Sequence, residues 1–119
     1  MRRPRSKAAT PVGLARVRGR SMEPTLAGGD LLLVRHGAAV RPGLLVLARF
    51  PDGTLVVKRV AESRATRTGS RGWWLLSDNP GEGIDSRHRG AIADEDVVAV
   101  VRARLWPSPC RSRRLLHEA

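Results

Sequence analysis

Short apolar runs cut by Gly, Pro and Asp constrain this chain more than any other feature. DLLLVRH (30–36), GLLVLARF (43–50), TLVVKRVAE (54–62), GWWLLSD (72–78) and VVAVVRARLW (97–106) each have the length and the β-branched or aromatic content of a strand. No segment shows a convincing helical period. FPDGTL, between the second and third runs, holds an Asp-Gly pair able to supply the positive backbone angles of a tight hairpin turn. The chain therefore reads as all-β, a partly closed barrel or folded ribbon of short strands. With 119 residues it can bury one modest core. The folded domain is expected over 12–107, after a disordered basic lead (1–11) and before a polar tail (108–119) that can end in a helical turn.

Charge narrows the function classes. Lys and Arg number 22 against 11 Asp and Glu, a net +11 that invites nucleic acid or anionic lipid as partners. The arginines are spread along the whole chain, however, and the only aromatics are Phe50, Trp73, Trp74 and Trp106. No nucleic-acid-binding signature appears, so no specific nucleic-acid partner is expected. The single cysteine, Cys110, excludes an internal disulfide, fits a reducing compartment and reads as a surface bystander. The basic N-terminus lacks the apolar core of a signal peptide. The longest apolar runs, Leu31 to Val34 and Leu44 to Ala48, are far shorter than the ~20 residues that cross a bilayer. These features predict a cytoplasmic protein without a transmembrane segment, whose basic surface still allows peripheral membrane contact. No His/Cys cluster has metal-ligand spacing, so neither metal nor other cofactor is expected.

The chemistry starts at GRSMEPTL, residues 19–26. Gly19 permits close backbone approach, Met22 offers an apolar anchor and Pro24 stiffens the exit. Such a turn can present the Ser21 hydroxyl and leave the Ser21 backbone N–H for a developing oxyanion. A serine needs a base to become a nucleophile, and His36, His88 and His117 form no recognisable triad. Lysine is the alternative. In this arginine-rich chain lysine occurs only as Lys7 and Lys58, and of the two cations only lysine can lose its proton when desolvated. Strand alternation puts Lys58 on one face with Val56 and Val60, opposite Leu55, Val57 and Arg59. An ordinary lysine is neutral in about one molecule in 2,500 at pH 7, and a depression of about three units raises that to roughly a quarter. Burial between Val56 and Val60, against an apolar neighbour such as Met22, acts in that direction. Each piece also has a plain reading, a turn serine and a half-exposed strand lysine.

A third element, SDNPGEGIDSRHRG (77–90), completes an ordered set with GRSMEPTLAGGDLLLV and LVVKRV. The set resembles the motifs of the signal peptidase I (S26) family, serine proteases with a Ser-Lys dyad, over roughly residues 14–106. The resemblance implies a mostly antiparallel β fold, Ser21 as nucleophile and Lys58 as general base. It further implies supporting roles for Asp78, Asn79, Asp85, Ser86 and Arg87, with Asp85 and Arg87 paired and Ser86 near the dyad. Gly19 stands where many members carry a hydroxyl that helps the oxyanion hole. Gly83 stands where a serine often holds the lysine, and Ser77 replaces the usual glycine before Asp-Asn. A short, arginine-rich member without an anchor resembles the nickel-type superoxide dismutase maturation proteases of actinobacteria, which implies removal of an N-terminal extension from that dismutase precursor.

Three other readings compete. One is signal-peptide cleavage by a peripherally bound signal peptidase. Another is the self-cleaving core of a repressor, which the roughly twenty residues before Ser21 make a poor fit. The last is a catalytically silent basic binding module, whose affinity would collapse steeply with salt where cleavage would respond mildly.

Overall fold

A computed structural model of the protein describes residues 11–111 and Leu115. Most of the expected basic lead, and much of the tail beyond 111, lie outside the described residues. Strands β1 (Val12–Arg16), β2 (Leu31–His36), β3 (Leu45–Arg49), β4 (Leu55–Ser63), β5 (Gly72–Leu76), β6 (Ile92–Ala93), β7 (Val97–Trp106) and β8 (Cys110–Arg111) join in one sheet. Its order is β1-β2-β7-β3-β4-β5-β6, with β8 added to β7, and every pairing is antiparallel. The all-β fold is thus the observed one.

Register shifts interrupt the β2–β7, β3–β7 and β4–β5 ladders. Each extra residue adds local twist, which curls the sheet into a half-barrel. Apolar clusters consequently form on both faces. Met22, Leu26, Leu32 and Val57 belong to one, while Val46, Val60, Trp73 and Leu75 belong to the other. Burial on two sides explains why the central runs are continuously apolar rather than alternating. It also leaves β4 no wet face at its centre: Val57 to Val60 are all buried.

The β3–β4 hairpin turns at Phe50–Gly53. The Gly53 amide donates to the Phe50 carbonyl (2.8 Å), and the Phe50 amide donates to Thr54 (2.9 Å). Only Gly53 has a positive φ, +89°. Asp52 does not share it; its carboxylate accepts the Thr54 amide at 2.9 Å instead. Pro51 and Asp52 thus form an ordinary turn, and Gly53 alone supplies the left-handed residue that realigns the strands.

A one-turn helix, α1 (Ser86–Arg89), lies within the third motif, too short to show any helical period in sequence. The stretch read as a polar tail supplies β8 and Leu115, which is buried in the Met22 cluster. No helix among the described residues is long and apolar enough to cross a membrane.

Candidate active site

The turn between β1 and β2 carries Ser21. Gly19 bends the chain with φ +72°, and Met22 and Leu26, each 1% exposed, anchor the turn in the core. Exposed Pro24 follows a cis bond from Glu23. From across the molecule, the Asn79 amide donates to the Ser21 carbonyl (2.8 Å) and its side-chain amide to the Arg20 carbonyl (3.0 Å). The nucleophile candidate is therefore held by its backbone. Its hydroxyl and its own N–H make no hydrogen bond among the described residues.

Lys58 enters from β4 and is 2% exposed. Its Nζ donates to the Ser77 hydroxyl at 2.9 Å. Burial pushes the amine below its ordinary 10.5; the Asp85 carboxylate opposes that shift and the Arg87 guanidinium reinforces it. Met22 belongs to the apolar cluster of Val57, and Val60 to the other, while Met22, Val56 and Lys58 line one cavity with Ser21. Ser21 and Lys58 are not hydrogen-bonded to each other, but they converge on Gly83. A Cβ added to that glycine would lie 2.7 Å from Ser21 Cβ, 3.5 Å from Ser21 Oγ and 3.3 Å from Lys58 Nζ. An uncomplexed site often keeps such a pair apart until substrate closes it.

The third motif holds this convergence in place. Asp78 accepts a bidentate pair from Arg59 (3.1 and 2.6 Å) and the Thr25 hydroxyl (2.6 Å), tying β4 to the serine turn. Fully buried Asp85 accepts the Ser77 amide (2.8 Å) and two bonds from the Arg87 side chain (3.0 and 2.9 Å). Burial acts to raise the Asp85 carboxyl, but Arg87 and the Ser77 and Arg87 amides outweigh it and hold it at about 2. Ser86 is tied to the sheet, its hydroxyl accepting the Leu75 amide at 2.9 Å. The sequence motifs do not mark Arg59, Thr25 or Ser77 as supports. Ser77 stands out there only as a departure, and the signal that exposes it is the β4–β5 register. Arg59 faces Leu76, so one step further Lys58 faces Ser77.

A cavity of about 550 Å³ runs from Ser21 and Lys58 along Leu14–Arg18 and the β3–β4 hairpin. A second, of about 430 Å³, shares Ser21 and Lys58 and is lined by Glu82, Gly83 and Ile84. The arrangement offers a hydroxyl, a water-shielded amine and an unused amide beside a groove, the parts needed for acyl transfer. Among the described residues no group of three or more His, Cys, Asp or Glu could hold a metal ion.

Residues 2–102 match the protein family described as Peptidase S24-like. The chain belongs to this family. No curated protein matches it. Membership in the S24-like peptidases carries a peptidase class, generally serine-type and acting on protein substrates, and agrees with the curled antiparallel sheet.

Proposed function

We propose that this S24-like protein is a serine endopeptidase working through a Ser21–Lys58 dyad. The observation that carries the reading is the convergence of Ser21 Oγ and Lys58 Nζ at Gly83, with the amine buried. In this mechanism neutral Lys58 takes the Ser21 proton as Oγ attacks the scissile carbonyl. The oxyanion forms against the Ser21 N–H. Protonated Lys58 returns the proton to the leaving amine, and a water activated by the same amine then hydrolyses the acyl-enzyme. Ser77 is the positioning residue: by accepting one N–H it aims the amine.

Substrate pairs as an added strand on β1, which ends the sheet among the described residues. Pro11 and Val17 direct their backbone groups to β2, through His36 N–H to Pro11 (2.6 Å) and Val17 N–H to Asp30 (2.9 Å). Alternation of the ladder leaves the backbone of Leu14 and Arg16 facing outward. On the chain's likeness to the nickel-type superoxide dismutase maturation proteases, short and arginine-rich relatives of signal peptidase I, we further assign the N-terminal extension of a nickel superoxide dismutase precursor as substrate, cut in the cytoplasm.

Co-expression with such a precursor tests this. Intact mass should show trimming with the wild-type enzyme and none with Ser21→Ala; trimming that persists in the variant rules out the assigned nucleophile. Two further outcomes concern the base. Since only neutral Lys58 accepts the proton and burial lowers its pKa, kcat/KM should rise with pH through a limb centred below 10.5. A flat profile from pH 6 to 10 speaks against lysine. Ser77→Ala should lower kcat about 10- to 100-fold with little change in KM, while Ser77→Thr retains most activity, because the hydroxyl orients the base without touching substrate.

A further inference from the structure

The two cavities at Ser21 differ in charge balance. Beside the second cavity, arginines meet carboxylates: Arg89 pairs with Asp52 at 3.7 Å and Arg20 with Glu23 at 3.5 Å. The larger cavity is lined by exposed Arg16 and Arg49, by exposed Arg18, which also borders the second cavity, and by no Asp or Glu. Arg16 donates to the Gly29 carbonyl (2.7 Å) and lies over Trp106. Among the described residues Arg49 reaches only the Gly53 carbonyl, at 3.4 Å. None of the three has a carboxylate partner among the described residues. Uncompensated positive charge therefore lines one side of the approach to Ser21, along the outward-facing edge of β1.

We infer that this groove selects peptide segments carrying aspartate or glutamate close to the scissile bond. The inference rests on the proteolytic reading and names the substrate's chemistry. A strand laid on β1 projects alternate side chains toward the hairpin, where Arg18 and Arg49 offer planar, fixed-charge donors that match carboxylates. Nucleic acid and anionic lipid also carry negative charge. The unpaired strand edge favours a peptide, since its backbone groups match an extended chain and no aromatic stacking platform lines the cavity.

Two measurements test this independently of each other. Cleavage of a randomised peptide library, read by mass spectrometry, should enrich Asp and Glu on one side of the cut. Separately, Ser21→Ala protein should bind fluorescent peptides bearing two acidic residues about tenfold more tightly than their Asn/Gln twins, an advantage that shrinks as salt rises. Arg18→Glu should erase or invert that order, and the milder Arg49→Gln should reduce it about threefold. Cleavage without acidic preference overturns the inference and leaves the protease reading standing. Charge-selective binding without cleavage does the reverse. Equal binding of acidic, neutral and basic peptides, or an oligonucleotide outcompeting acidic peptides, overturns the inference.

Discussion

Lys58→Arg and Lys58→Met should both abolish cleavage, with kcat/KM falling about a thousandfold or more. Arginine keeps the charge and cannot give up its proton, while methionine keeps the length and has no basic atom. Residual activity of the Arg variant near wild type would remove lysine from the mechanism. The Met variant has a second, independent signature in stability. Lys58 is 2% exposed and its folded pKa lies below 10.5 because burial disfavours the ammonium. A lowered lysine pKa means that the unfolded chain binds the proton more tightly, so the wild type loses stability as pH falls below 10.5. Methionine binds no proton. The difference in Tm between Lys58→Met and wild type should therefore move in the variant's favour as pH drops from 10 toward 6. A difference independent of pH would mean that the amine is as well solvated in the fold as outside it.

Gly83→Ala should cost about a hundredfold or more in kcat. Gly83 adopts φ +76°, and the added Cβ would come within 2.7 Å of Ser21 Cβ, closer than real atoms approach. Something has to move. The Ser21 turn, held through its backbone by Asn79, cannot retreat without dragging the nucleophile off line, and small misplacements of reacting groups cost large factors in rate. Gly69→Ala provides the control. Gly69 has φ +88° and nothing within 4 Å of an added Cβ, so it bears the same backbone strain of about 1 kcal/mol with full activity. Equal kinetics for the two variants would show that Gly83 is needed only for its turn. In sequence Gly83 reads as a missing lysine partner; in the folded protein a side chain there would press on both Ser21 and Lys58.

The five strands β2, β3, β4, β5 and β7 are legible in the sequence because their signal is local, whereas β1, β6 and β8 lie outside the apolar runs read there. Each apolar run carries its own length and composition, and the Pro-Asp-Gly sequence carries its own turn. Helix α1 escapes notice because four residues have no period, and its capping by Asp85 is visible only once that carboxylate is placed. Partnership at the site is hidden for a different reason. Whether Lys58 meets Ser77 depends on the β4–β5 register, which an irregularity between Val60 and Glu62 resets. A slip of one residue would turn the serine to the other face.

The residues themselves determine what chemistry is available: one polar turn with a hydroxyl, and one strand lysine in a chain that otherwise writes arginine. Only the tertiary structure decides that the lysine is dry, that Ser77 holds it, and that Arg16, Arg18 and Arg49 share one groove without a counter-charge. Acid–base character belongs to a side chain, but desolvation and proximity belong to the atoms packed around it, and those arrive from strands far apart in sequence.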